Sequence, residues 1–143
     1  MKLGFKKVHP DAKIPTYAHH GDAGMDVCSV DDGIVLNPGN RALISTGLIA
    51  EIPTGYEIQV RPRSGMAYKK GVTVLNGPGT VDSSYIGIIG VLLINHGTDT
   101  VVIRKGDRIA QLVLAPVTRC EPVEVAEVSD TERGTGGFGS TGR

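Results

Sequence analysis

The residues best suited to chemistry fall in one short stretch, Gly77-Pro78-Gly79-Thr80-Val81-Asp82-Ser83-Ser84-Tyr85. It places a carboxylate, Asp82, two residues after the hydroxyl of Thr80 and three before the ring of Tyr85. A carboxylate held within hydrogen-bond reach of a water molecule is a general base. Glycines on both sides of a proline favour a turn with close backbone approach. Apolar runs flank the stretch, Val72-Thr73-Val74-Leu75 before it and Ile88-Ile89-Gly90-Val91-Leu92-Leu93-Ile94 after it. Together they predict a β-hairpin whose mouth carries one acid, one ring and exposed amides. A solvated acid on an ordinary hairpin would look the same, so the weight rests on three further stretches.

The first is Arg61-Pro62-Arg63-Ser64-Gly65-Met66-Ala67-Tyr68-Lys69-Lys70-Gly71. It predicts one short helix, with Ser64 as the N-cap and Gly71 as the stop. A helix start offers unpaired amides, and Arg63 adds a forked donor. Anion binding is therefore the favoured reading over a capped surface helix. The second is Asp22-Ala23-Gly24-Met25-Asp26-Val27-Cys28, where small residues permit close approach and Asp26 opens a strand. In the third, Ile109-Ala110-Gln111-Leu112-Val113-Leu114-Ala115-Pro116, Gln111 is a polar amide inside an apolar run. If buried it must find a partner, either a backbone group or a ligand. The chain then closes on Arg133-Gly134-Thr135-Gly136-Gly137-Phe138-Gly139-Ser140-Thr141-Gly142-Arg143, whose five glycines hold no conformation cheaply. An arm with one ring and two cations suits closure over a nucleotide.

The elements that must position these residues read as strands. Val35-Leu36 and Ala42-Leu43-Ile44 flank a Pro38-Gly39 turn, and Leu48-Ile49-Ala50 follows. Tyr56, Ile58 and Val60 alternate with Glu57, Gln59 and Arg61, as in a half-buried strand. Val91-Leu92-Leu93-Ile94 is apolar on both faces, as in a fully buried one. Glu121 to Glu132 is acidic and valine-rich, consistent with a last strand leaving the core. The 143 residues, 40% of them hydrophobic, make one domain able to bury a core. No apolar run has the length of a membrane span. No signal peptide is visible, so a cytoplasmic protein is expected. Fifteen basic side chains balance fifteen acidic ones, which argues against a broad nucleic-acid surface. Cys28 and Cys120 form no CxxC, and the His19-His20 pair lacks a third ligand at metal spacing.

Taken together, these stretches resemble the trimeric deoxyuridine triphosphatases, the dUTPases, over almost the whole chain. The matching pieces are Ala23-Gly24-Met25-Asp26, Arg63-Ser64-Gly65-Met66-Ala67, and Gly79-Thr80-Val81-Asp82 with Tyr85 and Gly87. They continue with Gly106-Asp107-Arg108-Ile109-Ala110-Gln111-Leu112 and Arg133-Gly134-Thr135-Gly136-Gly137-Phe138-Gly139. The resemblance implies an all-β, distorted jelly-roll subunit of the β-clip type over residues 1–132. Residues 133–143 would be a flexible arm, and the assembly a homotrimer with active sites shared between subunits. It implies hydrolysis of dUTP to dUMP and pyrophosphate, with Mg²⁺ on the triphosphate, limiting uracil in DNA and supplying dUMP for thymidylate synthesis. Asp82 would activate the water that attacks the α-phosphorus. Asn76, Thr80, Val81 and the backbone at Gly90 would read uracil, Tyr85 would pack on the deoxyribose, and Phe138 would stack on the base. Arg63, Ser64, Gly65, Gln111, Arg133, Gly139 and Ser140 would hold phosphates, and Asp26 would meet the metal through water. No nucleic-acid or membrane partner is implied.

The sequence departs from the family after the tyrosine, where Ile86-Gly87-Ile88 replaces the common Arg-Gly-Glu. The two isoleucines are expected to bury apolar surface. Two rivals share the scaffold. A dCTP deaminase would need a glutamate where the central stretch offers Asp82. A regulatory binding module would not need the full set of motifs.

Overall fold

The computed structural model describes residues 1–139. Eleven strands and one helix are defined among them, and every strand pairing is antiparallel. Two larger sheets carry the core. One orders β2 (Met25–Cys28), β11 (Arg108–Pro116), β6 (Tyr56–Arg61) and β8 (Gly79–Asp82) side by side. The other orders β4 (Arg41–Ser45), β9 (Gly90–Asn95) and β7 (Val72–Val74). Two short pairs complete the barrel-like wrap: β1 (Gly4–Lys7) with β5 (Leu48–Glu51), and β3 (Ile34–Leu36) with β10 (Val101–Ile103). Neighbours in a sheet are seldom neighbours in sequence, and the architecture is a distorted jelly-roll. No helix among the described residues is long and apolar enough to cross a membrane.

The inward faces converge on one core. Val27, Ile58, Val60, Val81 and Leu112 come from the four-stranded sheet, and Ile44, Val72, Val74, Val91 and Leu93 from the three-stranded one. Burying each of the larger side chains contributes about 1.5–3 kcal/mol. In β6 the expected alternation holds, with Ile58 and Val60 buried and Arg61 exposed. In β9 it replaces the expected two-sided burial. Val91, Leu93 and Asn95 point inward while Leu92 and Ile94 are only half-buried. Asn95 is fully buried. Its amide donates to the carbonyls of Leu36 at 2.9 Å and Asp99 at 2.8 Å, and its oxygen accepts from Gly97 N–H at 2.8 Å. One buried side chain thereby satisfies three backbone groups that would otherwise be costly to desolvate.

The stretch from 72 to 95 is more than the simple hairpin expected. β7 and β9 do pair, with Val74 opposite Leu93. The segment between them, however, crosses to the other sheet, where β8 pairs with β6 and sets Val81 opposite Ile58. The reason is apolar: Gly79 and Val81 face the core while Thr80 and Asp82 face out. The return is pinned at Ile89, which is buried, donates to Leu48 O at 2.8 Å and accepts from the Thr46 hydroxyl at 2.7 Å.

The helix α1 runs Ser64–Lys70 and stops at Gly71, which adopts a left-handed φ of 67° and donates to Ala67 O at 3.0 Å. Ser64 is not its N-cap. That position belongs to Arg63, in extended backbone, and no side chain caps the helix. The last strand expected in Glu121–Glu132 is absent: nothing from Val117 to Gly139 is strand or helix. Val123, Val125 and Val128 are exposed, because no edge among the described residues pairs with them. Lys105 donates to Asp11 at 3.0 Å, tying the N-terminal segment to the turn before β11. That hydrogen bond, with the ammonium charge, lowers the Asp11 carboxyl below its ordinary pKa.

Candidate active site

Most of the candidate site residues gather in two places. The first is a pocket of about 270 Å³ between β8 and β9. Thr80, Val81 and Asp82 form one wall, Tyr85 and Ile88 another, and Gly90 with Leu43 closes it. Asp82 is exposed on the outer face of β8, directly opposite Glu57 of β6. Among the described residues it enters no ion pair, so its carboxylate is open to water. Glu57 is engaged by Gln59 Nε2 at 2.7 Å and is not part of the pocket wall.

Tyr85 is set by a turn and a clamp. Its amide donates to Asp82 O at 3.1 Å, and its hydroxyl donates to Ile88 O at 3.0 Å. The ring lies over Gly87, where an added Cβ would stand 2.9 Å from Tyr85 Cε2 and against the hydroxyl end. Gly87 does not have a positive φ, so alanine there costs space rather than backbone strain. We expect Gly87→Ala to displace the ring, raising KM for a nucleotide about tenfold by a loss of packing worth about 1.4 kcal/mol. Thermal unfolding should stay near wild type. Steady-state kinetics beside a melting curve checks this, and unchanged KM would show that the ring position does not matter.

The second place is the far edge of the same sheet. Asp26 on β2, half-buried, receives Arg63 Nε on Oδ1 at 3.0 Å and Arg108 Nη1 on Oδ2 at 3.1 Å. Arg63 Nη1 also donates to the carbonyl of Arg108 at 3.1 Å. Gln111, opposite Asp26 in the ladder, donates to Pro62 O at 3.0 Å. A backbone group thus satisfies one end of the amide that stood out in the sequence. Gly24 makes room for it, since a Cβ there would meet Gln111 Cδ at 2.9 Å. Ser64 and Gly65 lie exposed beside Arg63 at the start of α1. A cavity of about 260 Å³ adjoins this cluster, lined by Arg63, Lys70, Asp107 and Arg108 among others.

These two places are well separated within one chain. Gln111 and Asp26 are level with Arg61 on β6, whereas Asp82 is level with Glu57, four residues along. Four residues of strand and three strand spacings put Asp82 roughly 19 Å from Asp26. Among the described residues, neither the pocket nor the cavity has a wall residue from the arm. There Arg133 Nε donates to Gly136 O at 2.8 Å, and the Phe138 ring is fully exposed at a φ of 49°. Gly139 is exposed with a φ of 91°. Ser140 lies outside the described residues. Asn76 sits in the exposed turn after β7, packed towards Gly79, and is not part of the pocket wall.

Arg108 was missed in the sequence. It reads as the end of a turn, and only its place at the head of β11, paired to Asp26's strand, brings its side chain to Asp26. Ile86 and Ile88 do not bury themselves within the chain, being 82% and 46% exposed. For a metal, no group of three His, Cys, Asp or Glu side chains gathers among the described residues. Asp26 has both oxygens engaged, yet each keeps a lone pair able to accept from a metal-bound water. The donor set fits an ion that arrives with phosphate and water ligands.

An antiparallel jelly-roll with an open acid beside a ring, and a guanidinium pair on a distant edge, has the chemistry to suit a small anionic ligand. The family model described as dUTPase matches residues 10–142. The chain is 57% identical over 143 residues to the deoxyuridine 5'-triphosphate nucleotidohydrolase of Nautilia profundicola, covering all of both chains. It is 56% identical over 142 residues to that of a Hydrogenobaculum species, covering 99% of each. Among solved structures, the dUTPase of Staphylococcus bacteriophage 80alpha with dUPNHPP superposes with a TM-score of 0.91 at 31% identity, covering 99% of both chains. The D95N dUTPase of phage phi11, described for its coordination of a structural Mg(II) ion, gives 0.82 at 26% identity, covering 91% of this chain and 100% of that one. The chain belongs to the dUTPase family.

Proposed function

We propose that the protein hydrolyses dUTP to dUMP and pyrophosphate at sites built between three copies of the chain. The observation that carries this reading is the division of the site. One chain offers an open Asp82 beside a clamped Tyr85, and on the far edge of the sheet the Arg63 and Gln111 cluster around Asp26, which strand geometry puts roughly 19 Å from Asp82. On this reading the two places of one site come from different copies, and Asp82 of one meets Arg63, Ser64, Gly65 and Gln111 of another. Exposed Ile86, Leu43, Val123, Val125 and Val128 supply apolar surface for the assembly.

In the assembled site the pocket takes the nucleoside. Thr80, Val81 and the Gly90 backbone, with Asn76 at the adjoining turn, face the uracil edge. Tyr85 lies against the deoxyribose and leaves no room for a 2′-hydroxyl. Asp82 takes a proton from the water as its oxygen bonds to the α-phosphorus, and the bond from that phosphorus to the bridging oxygen breaks. Pyrophosphate leaves. Arg63 and Gln111 offset charge on the departing phosphates, and Arg133, Gly139 and Ser140 of the arm add donors while Phe138 stacks on the base. When bound to the triphosphate, Mg²⁺ would supply charge neutralisation at the phosphoryl oxygens, and Asp26 would hold it through water. Removing dUTP in this way limits uracil in DNA and supplies dUMP for thymidylate synthesis.

Pyrophosphate release from dUTP, dTTP, dCTP and UTP, each with Mg²⁺ and with chelator, tests the reading. Rapid Mg²⁺-dependent release from dUTP alone is expected. Ammonia from dCTP would favour deamination instead, although no glutamate lines the pocket.

A further inference from the structure

Two hydrogen bonds hold Arg63, one to Asp26 and one to the Arg108 backbone, and Arg108, a residue outside the proposed machinery, also binds that Asp26. Arg108 supplies its backbone carbonyl to Arg63 Nη1 at 3.1 Å. It also supplies its own Nη1 to Asp26 Oδ2 at 3.1 Å, while Asp26 Oδ1 takes Arg63 Nε at 3.0 Å. The contacts close a ring: Arg63 to Asp26, Asp26 to the Arg108 side chain, and the Arg108 backbone to Arg63. The Arg63 and Asp26 side chains are only 26% and 22% exposed, so solvent screens this pair less than a surface one.

We propose that Arg108 is a positioning residue that acts through Asp26 to hold Arg63 ready for phosphate. This rests on the reading of Arg63 as a phosphate donor given above. The physical reason is competition for one carboxylate. A guanidinium and a carboxylate left alone prefer the two-point fork. Arg108 occupies the second oxygen of Asp26, so Arg63 is limited to a one-point contact through Nε. Its Nη2 takes no partner among the described residues and stays available to an anion. Two guanidinium groups against one carboxylate also leave the cluster a net positive charge. Without the Arg108 side chain, Arg63 folds bidentately onto Asp26, the pair becomes neutral, and the phosphate site loses both donor and field. Pre-fixing a flexible arginine removes an ordering cost that binding would otherwise bear.

The test is a double-mutant cycle on the full chain by isothermal titration. The ligands are dUPNHPP with Mg²⁺, which carries all three phosphates, and dUMP, which lacks the two outer ones. Arg108→Ala is expected to weaken dUPNHPP roughly tenfold, the scale of one charge-assisted hydrogen bond, and to leave dUMP unchanged. Arg108→Lys, which keeps a cation able to reach Asp26, should recover most of the loss. The Arg63→Ala, Arg108→Ala double variant should bind no more weakly than Arg63→Ala alone. Additive losses would overturn the proposal, since they mean Arg108 acts independently of Arg63. Equal loss of dUMP and dUPNHPP would overturn it too, as general damage. A wild-type chain that ignores dUPNHPP would remove the functional reading as well, whereas failure of the cycle alone removes only this inference.

Discussion

Asp82→Asn is expected to lower kcat for dUTP by about a thousandfold, within the range that a positioned general base supplies. The substitution changes one oxygen to nitrogen on the outer face of β8, where the side chain is exposed and enters no ion pair among the described residues. Neither the core contact of Val81 nor the pairing with β6 depends on it. Fold, assembly and affinity for dUMP should therefore be preserved, and the loss should fall on kcat rather than KM. Removing the charge opposite Glu57 would, if anything, relieve repulsion across the ladder. Single-turnover kinetics with equal dUMP affinity in both proteins checks this. Turnover near wild type would take the base role away from Asp82.

Ending the chain after Glu132 is expected to cost several hundredfold in kcat/KM. The largest contributions of the deleted residues in the proposed site are one charge-assisted phosphate contact from Arg133 and one aromatic stack from Phe138, beside the weaker donors of Gly139 and Ser140. Together these are worth about 3–4 kcal/mol. The stability should hardly change, because Arg133 to Gly139 pair with no strand and Phe138 covers nothing within the chain. Phe138→Ala alone should lose only the stacking share, about five- to tenfold. Melting curves and steady-state kinetics on both variants separate these effects. A truncated chain with full activity would mean the arm has no part in the site.

Local chemistry was legible where one segment decides its own state. The period-two pattern of β6 and the Gly71 stop of α1 follow from side-chain alternation and a left-handed φ, and both stand as read. What needed the rest of the chain was not legible. Ser64 looked like a cap by composition, but Arg63 takes the extended cap position, and its side chain reaches Asp26 thirty-seven residues away. The central hairpin looked local because β7 and β9 do pair. The pull of Val81 towards Ile58 takes β8 into a different sheet, a preference that exists only once both sheets form. The acidic, valine-rich run of 121–132 has the composition of a strand, yet a strand needs a ladder, and the described residues offer it none. In the site, Asp82, Tyr85, Arg63 and Gln111 stood out as polar groups in unusual settings. Arg108 did not, because a cation at a turn end is ordinary until its carboxylate is known.

The most direct test of a divided site mixes two inactive proteins. Asp82→Asn and Arg63→Ala chains would be unfolded together in equal amounts, refolded and assayed for pyrophosphate release from dUTP. If Asp82 and Arg63 of one site come from different copies, random assembly restores about a quarter of the sites. Recovered activity near that fraction is the predicted result. No recovery, with mixed assemblies confirmed by mass, would mean that each site draws both residues from a single chain.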